Sequence, residues 1–342
     1  MPSVMLRVAL LVLLASAVCA PHARAESMDP VLSRLRIVSG LPGCLAASAD
    51  HVCKNAEMFE RVVSELGVAL APPLTSPAAS NGPSGLALAL DTTLTSIESD
   101  GLRDAVASSA PNPVLVWTHA TLRKGLPFGL EVGATIGRGH ATSLWSLGLS
   151  VKWAIVEGFR TGVGVVPDVA LQLTTTRSMG LDDLTVAAHS IDLLLSKPLN
   201  VGRGYRIAPL LATQLLFLEA DSGLVDLTPG PDPTADPPQQ ADQVDAFQAC
   251  KPGAAGAGQA VPLRCTGSGD DFGNNVQFDA VSQIRLRVFF GGQLQYGIWR
   301  ISSSLGVDLL TPTLQAARRD PSETESTLAR QVAFSIAAGA VL

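Results

Sequence analysis

Charge is scarce in this chain: 16% of its 342 residues are Asp, Glu, Lys or Arg, while 47% are hydrophobic. Soluble domains carry about 25% charge, so an ordinary water-soluble globule is disfavoured. Long hydrophobic runs are also missing. A helix that crosses a bilayer needs about 18 or more consecutive apolar residues, and only the N-terminus approaches that. Elsewhere Pro, Gly, Gln, Asp or Arg interrupts the apolar stretches, as Pro209 and Gln214 do within 207–218. A chain that is apolar overall yet lacks spanning helices suits a membrane β-barrel, whose strands each need only about ten residues. Basic clusters are absent too. With a net charge of −6 and no stripe of Lys and Arg, the chain offers no surface for phosphate, which excludes a nucleic-acid partner.

Cysteine is sparse, and its placement depends on export. Residues 1–25 read as a secretory signal: Arg7 precedes the apolar run 8–18, and Ala23-Arg24-Ala25 supplies the small-x-small cleavage pattern. The mature chain is expected to begin near Glu26. A buried N-terminal helix is the alternative, but no polar residues give that stretch a second face. Cys19 leaves with the signal, because Val18 before it is not the small residue that an acylated lipoprotein cysteine follows. Cys44, Cys53, Cys250 and Cys265 then remain in an oxidising compartment, where three pairings are open. Cys44–Cys53 and Cys250–Cys265 close the shortest loops and are the expected disulfides. A metal site is the alternative reading, with His51 the nearest extra ligand.

What the chain does have is strict period-two alternation. In 130–136, Leu130, Val132, Ala134 and Ile136 share one face, and Glu131, Gly133 and Thr135 the other. In 145–155 the apolar face runs from Trp145 to Ile155 through Leu147, Leu149, Val151 and Trp153; Lys152 lies opposite, among Ser and Gly. The longest such stretch is 278–296. There Phe278, Ala280, Ile284, Leu286, Val288, Phe290, Leu294 and Tyr296 oppose Asp279, Gln283, Arg285, Arg287, Gln293 and Gln295. Trp299, Ile301, Leu305, Val307 and Leu309 continue it against Arg300, Ser302, Ser304 and Asp308.

A soluble β-sandwich also alternates. Three features favour a barrel. The strands are long compared with the globular mode of about five or six residues. The polar face is rich in Gly, Ser and Thr with a few charges. Trp153, Phe159, Tyr205, Tyr296 and Trp299 sit near strand ends, as an interfacial aromatic girdle would; ordinary core aromatics are the bland reading. Ten strands are expected, near 86–97, 112–123, 126–137, 142–156, 158–176, 183–197, 203–219, 276–296, 298–310 and 329–342. A turn at Pro167-Asp168 and a face switch between Ala188 and Ile191 would raise the total to twelve. Connection lengths sort by side. Those at 124–125, 157, 198–202 and 297 are short, as periplasmic turns are; those at 98–111, 220–275 and 311–328 are long, as outward loops are.

The C-terminal run Val332, Phe334, Ile336, Ala338, Ala340, Leu342 resembles the terminal strand of outer-membrane β-barrels, ending in Leu342 where such strands usually end in Phe or Trp. The resemblance covers roughly 84–342 as a pattern. It implies an all-β, antiparallel transmembrane barrel of ten to twelve strands in the outer membrane of a Gram-negative bacterium. It also implies membrane lipid around the wall and barrel-assembly machinery as a partner of the last strand. Porin-like channels, and hydrophobic-compound channels of the long-chain fatty acid type, are the relatives it suggests.

Residues 26–83 stand outside the wall pattern. A first helix is expected from Asp29-Pro30, with Val31, Leu35 and Val38 at helical spacing, and a second near 51–66. A Pro-, Ser- and Ala-rich linker follows at 72–83. This segment is either a periplasmic cap or a plug in the lumen. The connection 220–275, dense in Pro, Gly, Asp and Gln, has no periodicity with which to build a core. It either folds into the lumen or binds a partner outside. Chemistry is thinly represented. His189 is followed at once by Ser190, which breaks the His-x-Ser spacing of outer-membrane phospholipases. Gly162-Val163-Gly164 lacks the helix a phosphate loop needs. No enzyme and no cofactor is expected. The better candidates are lumen charges: Arg285, Arg287, Arg300, Asp279, Asp308, Lys152 and Glu131. They form either an ion-pair network or a charged constriction. The leading expectation is a channel for small solutes or hydrophobic molecules; the rival is a closed structural or adhesive barrel that binds through 220–275.

Overall fold

The computed structural model describes residues 28–38, 44, 52–97, 100–106, 111–157, 166–202, 204–227, 275–311 and 328–342. Ten long strands make the wall: β1 (Leu86–Ser96), β2 (Val114–Gly125), β3 (Leu130–Gly139), β4 (Trp145–Val156), β5 (Asp168–Met179), β6 (Leu184–Ser196), β7 (Tyr205–Ser222), β8 (Val281–Tyr296), β9 (Trp299–Leu310) and β10 (Val332–Val341). Each pairs antiparallel with its neighbours in sequence. The circle closes where β10 meets β1, with Phe334 opposite Leu94. Closure leaves no free sheet edge, the condition for strands in a membrane. Among the described residues no helix is long and apolar enough to cross a bilayer.

The expected alternation runs through β6 without a switch. Leu184, Val186, Ala188, Ser190, Asp192, Leu194 and Ser196 point inward in unbroken succession, while Ile191 and Leu193 are exposed. What changes along β6 is the chemistry of the interior, from apolar to polar and back, so a phase change in hydrophobicity is no phase change in the backbone. The total therefore stays at ten. β5 starts at Asp168, directly after Pro167, so the expected strand 158–176 begins late and the connection expected at 157 alone spans 157–167; residues 158–165, with Phe159, lie outside the described residues.

The N-terminal segment departs further from expectation. Asp29-Pro30 starts no α-helix. Asp29 instead accepts hydrogen bonds from Thr142 Oγ1 (2.6 Å) and Ser143 N (2.7 Å) in the β3–β4 connection. A 3-10 turn (Leu32–Arg34) and a short strand (Arg36–Val38) follow, the strand pairing with Val52–Lys54. That pair occupies the start of the expected second helix, so α1 begins later, at Ala56, with Asn55 Oδ1 capping Met58 N at 3.0 Å. α1 runs to Leu70 and stops before Pro72-Pro73, with Ala71 already extended. A second, short helix, α2 (Asp100–Ala105), lies in the β1–β2 connection.

From Phe59 to Leu70 every residue of α1 except Arg61 is buried. A helix buried all round has something on every side. Here it is the barrel wall: α1 packs against β1, β2, β5, β6, β7 and β8. Phe59, Val62, Val63, Leu66 and Leu70 share one core with inward-facing Trp117, Val186, Leu216 and Leu218. Gly67 brings the helix backbone against the wall; a Cβ there would lie 2.7 Å from a methyl of Leu218. Two glycines in β3 make room for Trp117, since Cβ atoms at Gly137 and Gly139 would come within 2.5 and 3.0 Å of its indole.

Candidate functional site: a filled lumen

The outer face is an apolar belt. Val132, Leu149, Leu173, Ile301 and Ile336 are 39–61% exposed, all outward-facing on long strands. A contiguous surface of this kind is unstable in water and suits lipid. Trp153, Tyr205, Tyr296 and Trp299 also face outward, each 48–55% exposed, and all lie at the end of the barrel with the short turns. Tyr205 and Tyr296 stack at 4.7 Å across β7 and β8. Amphipathic rings at one level of a barrel belong at a membrane–water interface.

The expected lumen charges fall into two clusters, and one residue leaves the set. Toward the long connections, Arg285 pairs with Asp308 and reaches Ser64 of α1. Arg287 Nε lies 3.2 Å from Asp308 Oδ1, and Arg287 Nη1 donates to Gln214 Oε1 at 3.1 Å. The backbone N–H of Gln331 also donates to Asp308, at 3.1 Å. Both arginines and Asp308 are at most 2% exposed, so two cations share one buried carboxylate. Toward the short turns, Lys152 and Glu131 pair at 3.1 Å, and Arg300 donates to Asn81 Oδ1 at 2.7 Å. Asp279 has the parity of Arg285 but precedes β8. It is half exposed and pairs with Lys54 at 3.3 Å, outside the lumen, because alternation extrapolated past a strand end no longer reports on the wall. Phe278 likewise leaves the lipid face and stacks on Phe59 at 4.6 Å.

Sequence reasoning left residues 26–83 as either a cap or a plug and did not connect them with these charges. Residues 71–85 continue from α1 toward the short-turn end as an extended strip. Its backbone carbonyls at Pro77 and Ala79 accept from Lys152 Nζ (3.3 and 3.2 Å), and the N–H of Ala78 donates to Ser196 Oγ at 2.9 Å. Asn81 gives its N–H and side-chain amide to Glu131, at 3.1 and 2.6 Å. Thr75 donates to Asp91 at 2.6 Å, and Ser80 to Glu157 at 2.8 Å. From Pro77 to Asn81 each backbone residue of this strip meets a polar side chain of the barrel. The one available signal was the inward Asp, Glu, Lys and Arg of a barrel too narrow to hydrate them. The cavities left beside the strip are small, about 30 and 40 Å³, room for a few waters.

Among the described residues, His189 and Ser190 do not form a catalytic pair. His189 faces outward and bonds Thr175 Oγ1 at 2.9 Å, whereas Ser190 faces inward and donates to Asp192 at 3.1 Å. Alternation thus separates two adjacent residues across the wall. His119 is buried beside Trp117, with ring centroids 6.2 Å apart. Among the described residues no group of His, Cys, Asp and Glu is arranged to hold a metal. Cys44 and Cys53 form a disulfide; Cys250 and Cys265 lie outside the described residues.

No family model matches the chain, and no curated protein matches it. The solved structures it is similar to include the following three barrels. Neisserial surface protein A (NspA) is 10% identical, with 75% of this chain and 96% of that one covered, at a TM-score of 0.28. The KdgM porin is 6% identical, with 74% and 98% covered, at 0.27. The translocator domain of the autotransporter NalP from Neisseria meningitidis is 11% identical, with 83% and 95% covered, at 0.33. Likenesses this distant speak to neither substrate nor mechanism. The class follows from the chain's own closed strand pairing and apolar belt: an outer-membrane-type β-barrel.

Proposed function

We propose that this protein resides in the outer membrane of a Gram-negative bacterium, exported by residues 1–25, as a barrel held shut by its own residues 55–85. The observation that carries this reading is the interior: α1 is walled in on all sides, and the strip after it is hydrogen-bonded to the lumen charges. The charges serve as an ion-pair network that clamps the segment, and the barrel acts as a structural or binding element rather than an open diffusion path. β10 is its assembly signal, and lipid solvates its outer belt. A gated channel for small solutes or hydrophobic molecules is the second reading. It is favoured by the polar lining of the short-turn half, which would be wetted if residues 71–85 withdrew. The test is single-channel recording of refolded mature protein in a planar bilayer. Folded protein is expected to be silent; discrete conductance steps from it would overturn the closed reading.

A further inference from the structure

The two ends of the barrel are chemically unlike, and the chain touches both before the wall begins. At the short-turn end, Leu86 and Leu342 exchange backbone hydrogen bonds of 3.1 and 2.8 Å, so the first and last wall strands begin and end there. Residues 28–38 and 52–54 lie at the opposite end, among the long connections. Met28 N donates to Ala141 O at 2.8 Å, and Pro30 bridges to Val106. Arg36 donates to Leu227 O at 2.8 Å, and Lys54 to Gln277 O at 2.9 Å. Leu32, Leu35, Phe59, Leu102, Val106, Leu227 and Phe278 close over this mouth as one apolar core. Three separate connections therefore fix the segment at that mouth.

Between the mouth and Leu86 the chain runs the length of the lumen. α1, with 15 residues, covers about 22 Å at 1.5 Å per residue. The extended strip supplies the rest of a hydrocarbon thickness of about 30 Å. Long connections face the cell exterior in barrels of this class, and short turns the periplasm. An exported chain starts on the periplasmic side, so residues 28–54 have to pass through or with the barrel to reach their place.

We infer that the barrel carries its own N-terminal segment across the membrane and displays residues 28–54, closed by the Cys44–Cys53 disulfide, on the cell surface. This rests on the outer-membrane reading above. α1 and the strip are the transit stalk, and the lumen charges fix it after passage.

The test places a protease-cleavable epitope at one of three sites in the full chain: after Ser27, after Gly258 in the 220–275 connection, or after Gly202 in a short turn. Heat-modifiable gel mobility checks that each barrel folds. On intact cells the tags at 27 and 258 are expected to bind antibody and be clipped by added protease, while the tag at 202 is protected until the membrane is opened. A protected tag at 27 beside an accessible tag at 258 would overturn the threading and leave the barrel reading standing. Protection at both, with 202 accessible, would overturn the orientation and the surface display with it, while protection of all three tags on intact cells would overturn the outer-membrane reading itself. An untagged measurement covers a tagged chain that fails to fold. A membrane-impermeant acylating reagent applied to intact cells is expected to modify the chain's first amine but not Lys197, which reacts only after permeabilisation. The reverse pattern would overturn the inference.

Discussion

The two halves of the lumen are filled by the same chain in two ways. Near the long connections the filling is helical and the wall is largely apolar, with Leu184, Val186, Ala188, Leu216, Leu218 and Ala220 against α1. Near the short turns the filling is extended and the wall is mixed: Asp91, Glu131, Lys152, Ser196 and Arg300 bond residues 71–85, while Leu74 and Ala78 pack in a small apolar cluster with Ala170, Leu194 and Phe289. The reason is the backbone. A helix satisfies its own N–H and C=O groups between its ends, so the wall beside it has only to supply apolar contact. An extended strip has no such partners, and each buried group left unpaired costs free energy. Its surroundings must therefore provide donors and acceptors at its own spacing. The Arg285–Asp308–Arg287 cluster stands within the helical half because Ser64 and the inner faces of β7–β9 bring polar atoms there.

Removing the filling altogether tests the comparison most severely. A chain lacking residues 28–83 but keeping the signal is expected to change from silence to discrete steps in a planar bilayer. A folded deletion that stays silent would mean that the wall itself is closed. Next in size is Asp308→Ala, which leaves Arg285 and Arg287 buried without their shared carboxylate. Breaking a buried pair on one side costs about 3–5 kcal/mol, read as a lowered urea midpoint of the refolded barrel. A change within error would show that water reaches this cluster. Smallest is Ser196→Ala, which removes one partner from the strip, the acceptor for Ala78 N. A loss of about 1 kcal/mol is expected, with the conductance of the full chain unchanged.

Much of the wall was legible because alternation is a local property. Residues i and i+2 of a strand share a face whatever lies elsewhere in the chain, so Leu149, Val151 and Trp153 declared the lipid side and Ser150 and Lys152 the interior. The filling was not legible in this way. Ser64 meets Arg285 across 221 positions, and Asn81 meets Arg300 across 219. Nothing near either residue encodes its partner. The apparent face switch after Ala188 was in fact the trace of α1 on β6, a tertiary fact written in the sequence but unreadable without the helix in place. Trp117 was hidden for the same reason: a large aromatic on an inward face makes sense only once Gly137, Gly139 and the helix complete its surroundings.

By itself the sequence determined the lipid face and the long connections of one end and narrowed the strand count to ten or twelve, because period-two side-chain placement and connection length need no knowledge of distant contacts. Which end residues 28–38 and 52–54 occupy, whether the N-terminal segment caps or plugs the barrel and why Asp279 stands outside the lumen were decided only by the tertiary structure. Those features depend on closing the circle between β1 and β10, and only a closed wall has an interior whose volume and unpaired polar groups must be matched by another part of the chain.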